Sequence, residues 1–250
     1  MRRLSLLLCL PALLCAAEPV VRDMSLTTPD GFVLRGTLTI PPRPGLRPLV
    51  ILAHQFQANR SGWQPLAERL NGKGFATLAL DLRGHGLSTW KAGQALAAGP
   101  DYLASAKEVG FDRIPADLVQ VAAWARRQPR IDPRRMALAG SSLGGFASLL
   151  AASSIHPMAV LALSPAGNGA FVGPAGNPLA GEVAKAHSAL LVMAAVEDLE
   201  ASGNATLLKT IPGVCAMVVP GAAHGFALLP GEADLMAGWM AEYLIRQASR

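Results

Sequence analysis

At 250 residues, with 51% hydrophobic and 16% charged side chains, the chain is long enough for one large core and too apolar for extended disorder. Its net charge of +5 includes Arg2 and Arg3, so a chain lacking them carries +3. There is no Lys/Arg stripe, and nucleic acid is not an implied partner.

The first 17 residues have their own texture: Arg2-Arg3, an apolar run from Leu4 to Leu14, then small residues at Cys15-Ala16-Ala17. The run is too short to span a bilayer and reads as a secretory signal peptide cut before Glu18. Acylation at Cys15 is the less favoured alternative, because Leu14 stands where a small residue is wanted. The expectation is a secreted or periplasmic protein without stable membrane insertion, its residues 18–250 forming one domain. Removal of Cys9 and Cys15 leaves Cys215 alone, so no internal disulfide can form. Cys215 lies in the apolar run Val214 to Val219 and is expected to be a buried, inert thiol.

Along the remaining chain, Val20-Ser25 and Phe32-Ile40 read as an antiparallel hairpin turning at Pro29-Asp30-Gly31. Leu49 to Ala53 is a continuous apolar run, as expected for a strand covered on both faces. Trp63 to Lys73 has helical spacing and stops at Gly72 and Gly74. Phe75 to Leu80 is the next strand, and a long loop from Arg83 to about Asp112 follows. Pro115 to Arg127 predicts a helix with Leu118, Val121, Ala122 and Ala125 on one face. Further strands are predicted at Met136-Ala139, Met158-Leu163, Ala189-Ala194 and Val214-Val219. Leu163 to Ala189 reads as a loop with one short helix, and a final amphipathic helix runs from about Glu232 to Gln247. Strands alternating with helices predict an α/β fold with a mostly parallel central sheet, helices on both faces and no large cap domain.

Ala139-Gly140-Ser141-Ser142-Leu143-Gly144-Gly145 falls between a predicted strand and a helical run, with Ser142 central to G-x-S-x-G. A sharp strand-to-helix turn needs flanking glycines and lifts the serine oxygen toward the N–H groups of a helix start. A serine hydroxyl needs a base to accept its proton and an acid to orient that base. In open α/β sheets such groups collect beyond the C-terminal ends of strands. His224 follows the last predicted strand and is the candidate base. His54 precedes the serine, His85 suits a turn role, and His156 and His187 follow no strand. Asp198, after the Ala189-Ala194 strand, is the candidate acid, with Glu197 and Glu200 as competitors. The order Ser142, Asp198, His224 is that of the α/β-hydrolases. Candidate oxyanion donors are the N–H of Leu143 and that of Phe56 or Gln55. No metal-ligand spacing and no dinucleotide fingerprint is present, so no metal or other cofactor is expected.

Four stretches resemble the α/β-hydrolase superfamily in order: His54-Gln55-Phe56, Asp81-x-Arg83-Gly84-His85-Gly86-x-Ser88, the Gly140–Gly145 segment, and Gly221-x-x-His224-Gly225. Gln55 stands where that family usually reads glycine. The compact size and Gly225-Phe226 are similar to dienelactone-hydrolase-like and esterase members, although Ser142 replaces the cysteine of true dienelactone hydrolases. The resemblance implies a serine hydrolase acting on a small-molecule ester or acyl substrate through an acyl-enzyme. A small-peptide or acyl-amino hydrolase with the same triad is the alternative, as is a non-catalytic binding protein of the same fold. A haloalkane dehalogenase would need a carboxylate in place of Ser142.

Overall fold

The computed structural model describes residues 18–246, so the signal peptide expected at 1–17 lies outside the described residues. The chain opens with an antiparallel pair, β1 (Val20–Thr27) and β2 (Val33–Ile40), as the hairpin pattern predicts. Next come β3 (Arg47–Ala53), α1 (Gln64–Gly72) and β4 (Ala76–Asp81). Beyond β4 the predicted long loop is in fact structured: a two-stranded ribbon, β5 (Trp90–Lys91) with β6 (Gln94–Ala95), precedes a short α2 (Tyr102–Ser105). These elements are too short to leave a periodic signature in sequence.

The remainder is α3 (Ile114–Ala125), β7 (Ile131–Ser141), α4 (Leu143–Ile155), β8 (Ala159–Leu163), α5 (Asn168–Phe171), α6 (Leu179–Ala184), β9 (Ala189–Ala195), α7 (Leu199–Lys209), β10 (Val214–Val219) and α8 (Leu229–Arg246). The β8–β9 connection therefore holds two short helices where one was expected, and β7 is longer than predicted. Inside α8, Pro230 and Gly231 have non-helical angles, so the regular helix starts at Glu232, where the apolar periodicity places it. Its expected end at Gln247 lies outside the described residues.

Eight strands form one sheet in the order β1-β2-β4-β3-β7-β8-β9-β10. β2 pairs antiparallel with β4, and every pair from β4 to β10 is parallel. The continuous apolar run of β3 follows from burial on both faces. Leu49, Ile51 and Ala53 join the core under α3, α4 and α6, whereas Val50 and Leu52 pack with Leu66, Leu70, Met236 and Met240 of α1 and α8. The helix α4 is apolar on all sides because it is wedged between the sheet, α3 and α6. Among the described residues β10 pairs with one strand, β9, and is the last strand of the sheet. Cys215 is accordingly exposed, not buried as the apolar run suggested.

The Asp81–Ser88 segment is a built turn. Asp81 accepts the backbone N–H groups of Arg60 and Leu87, both at 2.9 Å. Gly86 has φ +52, and a Cβ there would sit 2.3 Å from the Asp81 carboxyl carbon. Arg83 is 1% exposed and pairs with Asp117 at 2.6 and 2.7 Å and with Asp30 at 3.0 and 3.2 Å. A buried guanidinium needs such bidentate partners to offset its lost hydration. This stretch anchors the hairpin β1–β2 to α3.

Candidate active site

The site residues lie beyond the C-terminal edge of the sheet, where β3, β7, β9 and β10 run out. Ser142 is the single residue between β7 and α4, with φ 50 and ψ −115, a strained conformation for a non-glycine residue. The strain is over-determined by close backbone packing. A Cβ on Gly140 would lie 2.2 Å from the carbonyl oxygen of Gly144, and one on Gly144 would lie 2.2 Å from that of Ala53. The two glycines are therefore needed because main chain passes main chain on both sides of the serine. Ser142 N–H donates to Leu163 O at 2.8 Å, which extends the sheet ladder into the turn. Leu143 N–H opens α4 and is among the groups a helix leaves without an intrahelical acceptor.

Similar ladder extensions hold the other two loops together. Val196 N–H donates to Val219 O at 2.9 Å and Glu197 N–H to Gly221 O at 3.0 Å. The loop after β9 is thus tied to the loop after β10, and Asp198 meets His224: Nδ1 of the imidazole and Oδ2 of the carboxylate are 2.7 Å apart. A carboxylate oxygen accepts, so Nδ1 is the donor in this contact, and the neutral imidazole of that tautomer has its lone pair on Nε2. Asp198 is 12% exposed and His224 42%. Of the three neighbouring carboxylates, Asp198 alone reaches the imidazole. Glu197 is exposed, and Glu200 Oε1 accepts the backbone N–H groups of Gly167 at 2.6 Å and Asn168 at 2.8 Å.

Ser142 and His224 line the same pocket, a cavity of about 360 Å³ shared with Gln55, Phe56, Tyr102 and Glu200. No hydrogen bond joins the Ser142 hydroxyl to His224 in this structure. Such contacts commonly tighten only when substrate is bound. Among the described residues, no three His, Cys, Asp or Glu side chains are grouped to hold a metal ion.

Gln55, considered in the sequence only for its N–H, has a second role. Its Oε1 accepts the hydroxyl of Ser141 at 2.9 Å and the N–H of Phe226 at 2.8 Å. Gly225 makes the approach possible, since a Cβ there would sit 2.1 Å from that oxygen. One side-chain oxygen thereby joins the loop after β3, the residue before Ser142 and the loop carrying His224. Sequence held a signal for it: a polar side chain where the family reads glycine, opposite a glycine after His224.

His54 is fully buried and structural. Its Nε2 accepts the N–H of Leu82 at 3.0 Å, so Nδ1 must carry the proton it donates to Gln55 O at 2.7 Å. Burial, with His85 nearby, lowers its pKa to about 3 and keeps the ring neutral. The His85 ring packs against His54, Phe56 and Phe111 at centroid distances of 5.1 to 5.7 Å, backing the loop after β3. His156 and His187, which follow no strand, are not among the residues lining the pocket.

Residues 45–211 match the Hydrolase_4 family model, described as serine aminopeptidase, S33. The chain belongs to that family. It is a member of the α/β-hydrolase superfamily, and the matched span contains Ser142 and Asp198, with His224 beyond it. The fold is similar to that of a dienelactone hydrolase from Anabaena variabilis ATCC 29413, at 21% identity and TM-score 0.67 over 92% of this chain and 99% of that one. It is similar also to an acetyl xylan esterase from Paenibacillus sp. R4, at 18% identity and TM-score 0.68 over 94% of this chain and 87% of that one. Among curated relatives, a Mycobacterium tuberculosis (strain ATCC 25618 / H37Rv) protein provisionally named a phosphoribosyl transferase is 28% identical over 236 residues. That alignment covers 92% of this chain and 48% of the relative, so the chain spans about half the relative's length.

Proposed function

We propose that this hydrolase cleaves carboxylic esters through an acyl-enzyme, with Ser142 as nucleophile, His224 as general base and acid, and Asp198 as the group that orients the imidazole. The observation that carries the reading is the 2.7 Å contact between His224 Nδ1 and Asp198 Oδ2, with Ser142 at a strained turn on the wall of the same pocket. In the first half-reaction the Ser142 oxygen attacks the ester carbonyl carbon while His224 Nε2 takes the hydroxyl proton. The tetrahedral oxyanion is held by the N–H of Leu143 and that of Phe56 or Gln55. Collapse breaks the bond to the alcohol oxygen, which leaves with the proton from His224. Water then attacks the acyl-enzyme by the same relay, releasing the acid and restoring the serine. Asp198 accepts the hydrogen bond from Nδ1–H throughout, without taking the proton, and stabilises the imidazolium.

Esters stand ahead of amides because an alcohol is a better leaving group than an amine, and the fold's neighbours include an acetyl xylan esterase. The serine aminopeptidase description of the family model favours the second reading, a hydrolase of small peptides or acyl-amino compounds. Matched para-nitrophenyl esters and para-nitroanilides of the same short acids distinguish the two. Ester turnover that disappears in Ser142→Ala is the expected outcome. Faster anilide turnover would favour the peptidase, and no turnover of either would leave a binding protein. The phosphoribosyl transferase name is not carried over, since it belongs to a chain of which this one matches 48%. Export to the periplasm or beyond belongs to the same proposal and rests on the sequence of residues 1–17.

A further inference from the structure

The pocket beside Ser142 holds a fixed negative charge that the proposed chemistry does not use. Glu200 stands in the first turn of α7, and its Oε1 is tied to the N–H groups of Gly167 and Asn168. Those two bonds fix the carboxylate in place and occupy one oxygen. Glu200 has no salt-bridge partner among the described residues, and neither Lys nor Arg lines the cavity. Holding the 167–168 loop needs an acceptor oxygen but no charge; a glutamine would serve. The charge is left facing the cavity.

Two aromatic rings, Phe56 and Tyr102, line the same cavity, set edge to face with centroids 5.2 Å apart. The Tyr102 hydroxyl is buried without a hydrogen-bond partner among the described residues. Burial, and secondarily the charge of Glu200, raise its pKa, so the phenol stays neutral beside the carboxylate. A carboxylate and two aromatic walls attract a cation by Coulomb and ring-quadrupole terms together. An anionic group would meet the carboxylate with no counter-charge.

We infer that Glu200 is a specificity-determining residue, and that the pocket selects esters bearing a positively charged ammonium group, with Phe56 and Tyr102 as the walls around it. The inference rests on the serine-hydrolase reading and adds the substrate class to it. The charge sits on the acyl or the alcohol side of the ester, and both are probed below. An exposed carboxylate is screened by solvent, so the expected preference is roughly five- to tenfold at low ionic strength, shrinking as salt rises.

The test uses two matched ester pairs on the purified protein. In one pair a choline ester is compared with its uncharged isostere, tert-butyl in place of trimethylammonium. In the other, para-nitrophenyl esters carry the same exchange at the end of the acid. The readout is the ratio of kcat/KM, charged over uncharged, for wild type and Glu200→Gln, which retains an acceptor oxygen for Gly167 and Asn168. The expected result is a ratio well above one in at least one pair, falling to about one in Glu200→Gln and with added salt. A wild-type ratio of one or less in both pairs overturns the inference, as does a ratio that Glu200→Gln leaves unchanged. Turnover of the uncharged esters, lost in Ser142→Ala, separately reports the serine-hydrolase reading. If wild type turns over none of the four esters, that reading fails and the inference falls with it.

Discussion

The side-chain oxygen of Gln55 accepts the backbone N–H of Phe226 at 2.8 Å, joining residues 171 positions apart in sequence. The same oxygen takes the Ser141 hydroxyl. Both partners are donors, so the orientation of the amide is decided by them. Gln55→Met keeps the length of the side chain and removes the acceptor, leaving two donors unanswered. Under the proposed chemistry kcat should fall roughly 10- to 100-fold while the fold survives, because His224 loses its register with Ser142. Gln55→Glu keeps an acceptor at that place and should recover much of the rate. Steady-state kinetics on the two variants, with circular dichroism as the folding control, check this.

Asp198→Asn should lower turnover by about 10⁴-fold with little loss of stability, since the neighbouring amide can no longer select the Nδ1–H tautomer. Glu197→Gln should retain near wild-type turnover, because that exposed side chain does not touch His224. A reversed ranking of the two variants in ester hydrolysis would move the acid role to Glu197.

Gly144→Ala should destabilise the fold by about 3 kcal/mol or more, because the added Cβ meets the main-chain carbonyl of Ala53, which cannot rotate away. Gly181 has open space around it, and Gly181→Ala, at a helical position, should be neutral or mildly stabilising. Urea unfolding of the two variants side by side checks the contrast.

Acid should weaken the fold through His54. Its folded pKa of about 3 lies below the ordinary value of 6.5. The unfolded chain therefore binds a proton that the native one refuses. The stability is present above the unfolded pKa and is lost progressively as pH falls toward the folded value, at about 1.4 kcal/mol per pH unit for one site. His85, also lowered by burial, acts in the same direction. Unfolding midpoints from pH 7 downward should decline in wild type, and His54→Gln should flatten the slope whatever its own stability.

How much of this was legible in sequence depends on what each feature rests on. The elbow was legible because its glycines are dictated by main-chain collisions, which leave a fixed spacing around Ser142. The parallel sheet was legible because burial on both faces leaves continuous apolar runs. The choice among Glu197, Asp198 and Glu200 was open, because three carboxylates follow one strand and only the path of the β9–β10 loops decides which one meets the imidazole. Cys215 was misread because an apolar run does not reveal that its strand lies at a sheet edge. The side-chain role of Gln55 and the placement of Glu200 in the pocket depend on loops meeting across the sheet edge. No local pattern encodes that meeting.

The most direct measurement is peptide mass mapping after reaction of the folded protein with a fluorophosphonate, which traps an activated serine covalently. The expected result is one adduct per chain, on Ser142, absent from Ser142→Ala and formed far more slowly in His224→Ala. An adduct on another residue, or labelling of Ser142 at the same rate without the imidazole of His224, would contradict the proposed nucleophile and its base.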